Sequence, residues 1–264
     1  MSNRAEPVTE GVALVGIEQG VMTITLNRPE AKNSLSPDLV AGIHRAMEAG
    51  IDDDSIRVIV LTNTGNTFCA GADLKATQPG VSGDDSGPTF IDVLNLMLDS
   101  PTPVIGRIAG HCTGGGVGLA SACDISVMDA DSLLGFTEVR IGVAPAVISV
   151  VCLPKLRPAD ANELFLTGER IPAGRAAEVG LVNYAVPADE LDAKVDEIVG
   201  KVVRGGPNAL AGTKQLLSRV GQADRQTDFE WTGVLSKSLF QSDEAREGIG
   251  AFRQRRDAGW IPGG

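Results

Sequence analysis

The residues of this chain able to do chemistry in a pattern fall in two stretches. Gly114-Gly115-Gly116-Val117-Gly118-Leu119 stands between an apolar, strand-like run (103–108) and a run of small residues ending at Cys123. Three consecutive glycines are costly in backbone entropy, so something needs the backbone bare there. A helix starting at about Gly115 or Gly116 turns unpaired N–H groups and a positive dipole end outward. Such a place holds a phosphate, a carboxylate or a developing oxyanion. About twenty residues on, Phe136-Thr137-Glu138 sets a carboxylate in an otherwise apolar segment, where a raised pKa would suit acid–base work. Joined, the two features describe one active site.

Each feature alone has a plainer reading. The glycine run could serve only tight helix–strand packing. It does not fit the dinucleotide-binding G-x-G-x-x-G, it lies mid-chain, and no P-loop Lys-Ser/Thr follows it. Ala70-Gly71-Ala72-Asp73 alone is a turn, and a lone Glu138 could be a surface residue or a helix cap. Asp124, between a helix and a strand, reads as structural. Cys69 and Cys112 adjoin the two small-residue loops without a matching His–acid pair, so they read as buried thiols. His111 is expected to pack or to make a backbone contact.

The elements that must position these groups come from hydrophobic periodicity. Residues 12–18 and 21–26 read as strands around Gln19-Gly20. Ser36-Pro37 opens a helix carrying Leu39, Ile43, Met47 and Ile51 on one face. Residues 57–62 form a short strand apolar enough to be buried on both faces. Residues 77–88, rich in Gly, Ser, Asp and Pro, read as a mobile loop, and 90–99 as a helix. Strands are expected at 124–128, 132–135 and 180–186, and buried helices at 145–156 and 158–167. Beyond Ala188 the pattern is helical, with breaks at Gly205-Gly206-Pro207 and around Asp224. The fold class is therefore α/β, with a core over 1–187 and a helical part over 188–264.

Composition narrows the function classes. The 264 residues carry 34 acidic against 23 basic side chains, a net charge of −11, which argues against nucleic acid and anionic membranes. Four cysteines without C-x-x-C spacing and two histidines argue against a disulfide framework or a zinc site. With no apolar signal-like segment near Met1 and no long apolar run, the expectation is a cytoplasmic protein without membrane insertion.

In order along the chain stand Leu26-Asn27-Arg28-Pro29-Glu30-Ala31-Lys32-Asn33-Ser34-Leu35, Phe68-Cys69-Ala70-Gly71-Ala72-Asp73-Leu74-Lys75, the triple glycine, Ala122-Cys123-Asp124-Ile125, and Glu138 before Ile141-Gly142. This ordered set resembles the enoyl-CoA hydratase/isomerase (crotonase) family, from about Val12 to the C-terminus, including Leu166-Thr167-Gly168-Glu169-Arg170 and 240–256. The resemblance implies a spiral of strand–strand–helix units with a C-terminal helical trimerisation part, as a homotrimer or hexamer. It implies an acyl-CoA thioester as substrate, with its enolate oxygen held in an oxyanion hole by the N–H groups of Ala70 and Gly115. It also implies CoA contacts at Ala31 and Lys32, a pantetheine path along Ala72, Asp73 and Leu74, and an approach by Phe240 and Arg256 of a neighbouring subunit. Coenzyme A arrives as part of the substrate, and neither a metal nor a further cofactor is implied.

One departure decides the chemistry. Hydratases of the family commonly pair a glutamate in the helix after the triple glycine with one at the Glu138 position, and here the first position is Gly118. Glycine transfers no proton, and a positioned acid–base group contributes roughly 10²–10⁴ in rate. The stretch 137–146 resembles a hydratase subgroup, methylglutaconyl-CoA-type enzymes among them, that also tends to have glycine there. Three readings stay open: hydration of a 2-enoyl-CoA with Glu138 as acid and base, double-bond isomerisation by Glu138 alone, and binding of acyl-CoA without turnover.

Overall fold

The structure, a computed structural model, describes residues 4–74 and 87–261. Strands β1 (Ala13–Glu18) and β2 (Val21–Leu26) form an antiparallel hairpin whose turn residues Gln19 and Gly20 both have positive φ. Helix α1 (Pro37–Asp52) is capped by Ser36, whose Oγ accepts from the Leu39 N–H at 3.2 Å. The strand–strand–helix scheme then repeats. It gives β3 (Val58–Asn63), β4 (Thr67–Cys69) and α2 (Phe90–Asp99), then β5 (Val104–Ile108), β6 (His111–Thr113) and α3 (Gly115–Ala122). The next unit has β7 (Ile125–Asp129), β8 (Leu133–Gly135), a 3-10 turn over Thr137–Ile141, and α4 (Ala146–Cys152). After it come α5 (Pro158–Thr167), β9 (Arg170–Pro172), α6 (Ala173–Glu178) and β10 (Tyr184–Val186). Helices α7 (Leu191–Val202), α8 (Pro207–Arg219), α9 (Arg225–Phe240) and α10 (Asp243–Gln254) complete the described chain.

After the first hairpin, each unit sends its two strands to different sheets, which makes the chain a spiral. A six-stranded sheet has the order β1-β2-β3-β5-β7-β10 and a four-stranded one the order β4-β6-β8-β9. From β2 onward the larger sheet is parallel, and its middle strands β3, β5 and β7 are largely buried on both faces. Alternation along β3 shows this: Ile59 and Leu61 join the main core, while Val58 and Val60 meet Leu191, Val195 and Ile198 of α7. The C-terminal helices are also tied to the core by polar contacts. Lys214 Nζ of α8 donates to Asp124 Oδ2 at 2.6 Å and to the Met97 carbonyl at 3.2 Å, so Asp124 is structural, as expected.

Several elements depart from the sequence reading. The buried helix expected over 145–156 is α4 plus a 3-10 turn at Leu153–Lys155, and it exposes Val147, Val150 and Leu153. Helix α5 starts at Pro158 as expected but buries only Asp160 and Leu164 and leaves Leu166 77% exposed. Within 180–186 only β10 is a strand, and β9 was not anticipated. Of the loop expected over 77–88, residues 77–86 lie outside the described residues.

Candidate active site

Strands β4, β6 and β8 of the small sheet end at a cavity of about 710 Å³. Strand β4 delivers Ala70, Gly71 and Ala72 to it, β6 delivers Gly114 and Gly115, and β8 delivers Glu138 through its 3-10 turn. The glycines are there because backbone meets backbone. A Cβ on Gly116 would sit 2.1 Å from the Cys69 carbonyl oxygen, and one on Gly71 would sit 3.1 Å from the Gly115 nitrogen. Gly115 opens α3, so its N–H has no partner inside the helix and faces the cavity with the positive end of the helix dipole.

In the loop after β4 the uncommitted N–H is not the one at Ala70 that the family resemblance implied. The Ala70 N–H already donates to the Lys32 carbonyl at 3.0 Å, which removes it from the site. Two residues on, Leu35 makes a parallel bridge with Ala72: its N–H donates to the Gly71 carbonyl at 2.8 Å, and its carbonyl accepts from Asp73 at 3.4 Å. In that pattern the Ala72 N–H points away from Leu35. Ala72 lines the cavity, and its N–H finds no acceptor among the described residues. The small-residue motif marks the loop, but which of its N–H groups is uncommitted follows only from the pairing with Leu35. Asn33 also escaped the sequence reading. Fully buried with φ of 50°, it donates to the carbonyls of Thr64 (3.0 Å) and Thr67 (2.7 Å) and accepts from Arg28 N–H at 2.6 Å, fastening the Lys32 loop to β4.

Glu138 sits on a turn closed by Gly142, whose positive φ lets its N–H reach back to the Glu138 and Val139 carbonyls. Its Oε1 lies 3.2 Å from where a Gly114 Cβ would be, so a side chain at Gly114 would crowd the carboxyl. Its Oε2 is buried and makes no hydrogen bond to the described residues. Burial raises its pKa above the ordinary carboxylate value, because the anion loses hydration that a hydrogen bond from its own backbone N–H only partly offsets. A buried carboxylate oxygen without a protein partner, on the wall of a cavity, has the capacity to accept a hydrogen bond or a proton there.

Gly118 is glycine for a physical reason. A Cβ there would lie 2.4 Å from Ile148 Cγ2 and 3.1 Å from Ile148 Cβ, with the Phe90 ring at 3.6 Å. Helix α4 packs its β-branched residue into the space where a second acid would stand, so the absence is built into the helix pair. Thr89 caps α2, its Oγ1 accepting from the Asp92 N–H, which fixes Phe90 at that same wall.

Of the other expected residues, Leu74 lines the cavity, while Asp73 is paired with Arg28 at 3.4 Å and lies outside the lining. Ala31 and Lys32 flank the site through the Lys32–Ala70 bond but do not line the cavity. Phe240 and Arg256 lie elsewhere in this chain: Phe240 is 73% exposed beside Trp260, and Arg256 is engaged with both oxygens of Glu247. All four cysteines are buried thiols, and burial pushes the Cys69 pKa up to about 12. His111 Nδ1 accepts from the Leu133 N–H at 3.0 Å, the backbone contact expected of it.

A sequence profile described as enoyl-CoA hydratase/isomerase matches residues 16–262. The chain belongs to that family. Among its relatives, the carnitinyl-CoA dehydratase of Salmonella typhimurium is 33% identical over 91% of this chain and 94% of its own. A crystal structure of enoyl-CoA hydratase from Mycobacterium smegmatis superposes with a TM-score of 0.86 at 30% identity, covering 95% of this chain and 99% of the other. One from Mycobacterium tuberculosis gives 0.85 at 31% identity, covering 94% and 98%. Membership supports an enzyme that processes acyl-CoA, and the spiral fold is the one these structures share. No helix among the described residues is long and apolar enough to cross a membrane.

Proposed function

We propose that this enoyl-CoA hydratase/isomerase family member hydrates a 2-enoyl-CoA with one carboxylate, Glu138, as both base and acid. The observation that carries the reading is the buried, unpartnered Glu138 oxygen in the same cavity as the uncommitted N–H groups of Ala72 and Gly115. The thioester oxygen sits between those two donors. Glu138 takes a proton from water as its oxygen bonds to C3, the C2=C3 electrons move toward C1, and the enolate oxygen is held by the two N–H groups. The proton then returns from Glu138 to C2, so water is added and the enzyme is unchanged. Each donor stabilises the enolate-like transition state by about 3–4 kcal/mol. A raised pKa suits a group that must both take and give the proton. The reverse direction, loss of water, uses the same steps, and carnitinyl-CoA dehydratase is named for a dehydration.

Gly118 favours a second reading, double-bond isomerisation, because one carboxylate can move a proton between C2 and C4. Crotonyl-CoA separates the two: loss of enoyl absorbance supports hydration, while an inert crotonyl-CoA and a 3-enoyl-CoA that gains conjugation support isomerisation. Tight CoA-thioester binding with neither reaction supports a binding protein. The likeness to hydratases with glycine at the Gly118 position belongs to the same proposal, as does a reaction needing no cofactor beyond the CoA of the substrate, in the cytoplasm. Assembly as a homotrimer or hexamer through the 188–264 part is in keeping with the exposed Phe229, Val234, Phe240 and Phe252, and sedimentation tests it. Ala31 and Lys32, with Phe240 and Arg256 of a neighbouring copy, remain the proposed surroundings of the CoA nucleotide.

A further inference from the structure

The two N–H groups proposed to hold the thioester oxygen stand on separate pieces of chain. Ala72 lies beyond the end of β4, and Gly115 opens α3 after β6. The pairing of those two strands stops at Cys69 and Cys112, and its register already shifts between Thr67 and Cys69. Past that point the Thr113 hydroxyl donates to the Ala70 carbonyl at 3.1 Å, which ties residue 70 rather than residue 72. The ladder that aligns β4 with β6 therefore ends before the residues whose spacing matters. Donors to a developing oxyanion must stand about 2.7–3.1 Å from it, so the gap between them has to be fixed by another contact.

Leu35 touches both pieces. Its backbone makes the parallel bridge with Ala72, through the bonds to Gly71 and Asp73. Its side chain reaches Gly115: a Cβ there would lie 2.5 Å from Leu35 Cδ1, with the next atoms, Gly71 Cα and Phe90 Cε1, at 3.5 Å. The bare Cα of Gly115 leaves a socket, and the leucine methyl sits in it. Leu35 in turn has little freedom of its own. The neighbouring Ser36 caps α1, its N–H donates to the Ser34 carbonyl at 2.9 Å, and the Arg28 guanidinium donates to the same carbonyl at 3.1 Å. Helix α1 is anchored by Leu39, Ile43 and Met47, all fully buried. The placement of Ala72 relative to Gly115 is thus passed through one residue at the start of a packed helix.

We propose that Leu35 is a positioning residue that sets the gap between the Ala72 and Gly115 N–H groups. The inference rests on the placement of the thioester given under the proposed function. Truncating the side chain keeps both backbone bonds, so the Ala72 loop stays tied, but it removes the stop against which the first turn of α3 rests. A misplacement of about 1 Å in such a site costs up to about 10²-fold in rate. Two plainer roles would read out differently. As filling for the core, Leu35 would change stability and leave the chemistry alone. As part of the cavity lining, it would change affinity for the acyl chain and leave the polarisation of the thioester carbonyl alone.

Infrared difference spectra of bound butyryl-CoA, isotope-labelled at the thioester carbonyl, read that polarisation, because hydrogen bonds to the oxygen lower its stretching frequency. The unsubstituted protein is expected to lower the band relative to free butyryl-CoA. Leu35→Ala is expected to lose about half of that shift or more and about 10–100-fold in kcat on crotonyl-CoA, while butyryl-CoA affinity changes by less than about threefold. Leu35→Met, nearly equal in volume, is expected to recover most of both losses. Should Leu35→Ala fail to fold, Leu35→Val, which lacks the δ carbons, is expected to show the same loss of shift. A band unmoved in the folded variant overturns the proposal, and so does an affinity that falls while band and kcat stay put. A band that the unsubstituted protein does not lower removes the thioester placement and this proposal with it. A lowered band that depends on Leu35, in a protein inert to crotonyl-CoA, retains the proposal and removes the hydratase reading.

Discussion

The Gly118–Ile148 contact can be tested by a thermodynamic cycle. In Gly118→Ala the new Cβ would stand 2.4 Å from Ile148 Cγ2, about 1 Å closer than ordinary contact. Overpacking of this kind costs about 1–3 kcal/mol, and the helix propensity of alanine offsets about 1 kcal/mol of it. The expected net loss is therefore roughly 0–2 kcal/mol. Ile148→Ala, at a residue 3% exposed, should cost about 2–5 kcal/mol through lost burial and a cavity. In the double variant Cγ2 is gone, the alanine fits, and part of the cavity is filled. The double variant should then be more stable than the sum of the singles by about 1–3 kcal/mol. Urea denaturation with unchanged slopes reads this as shifts of midpoint. Additivity within about 0.5 kcal/mol would refute the idea that Ile148 holds the space of the missing acid. The functional corollary is that Gly118→Glu alone gains no activity, because the carboxylate has no room beside Ile148.

Other substitutions test other parts of the account. Gly116→Ala forces a Cβ into the Cys69 carbonyl, so strand β4 or helix α3 must move; binding of butyryl-CoA should collapse, and unchanged binding would remove the close approach from the argument. Lys214→Met removes the tie between α8 and Asp124 and should cost about 2–3 kcal/mol, read as a lower melting temperature. Because burial raises the Glu138 pKa above 4.5, its contribution to stability is complete below the ordinary carboxylate value and is lost as pH rises through the raised one. Glu138→Gln carries no such charge, so its melting temperature should exceed that of the unsubstituted protein near pH 8, with the gap shrinking as pH falls toward 4.5. A gap independent of pH would show that the carboxyl is not desolvated.

Much of the fold was legible because periodicity and caps are local. Ser36-Pro37 opened α1 where expected, and the apolar run of β3 proved covered on both faces. The 145–156 segment misled because an apolar surface all round a helix reads as burial, although α4 keeps Val147 and Val150 outside in the single chain. Strand β9 has three residues, too few for alternation to show. At the site, Glu138, Gly115 and Gly118 could be placed from motif order alone. The uncommitted N–H at Ala72 could not, because an N–H is uncommitted only by virtue of what its neighbours bond, and Leu35 lies far from it in sequence. Ile148 enters the site through packing, which residue spacing does not report.

The most direct measurement is the rate at which crotonyl-CoA loses its enoyl absorbance with the unsubstituted enzyme and with Glu138→Gln, alongside the affinity of each for butyryl-CoA. The account predicts hydration by the former, a fall of roughly 10²–10⁴ in the latter, and closely similar affinities. Hydration that survives in Glu138→Gln, or an unsubstituted enzyme that leaves crotonyl-CoA untouched, would contradict it.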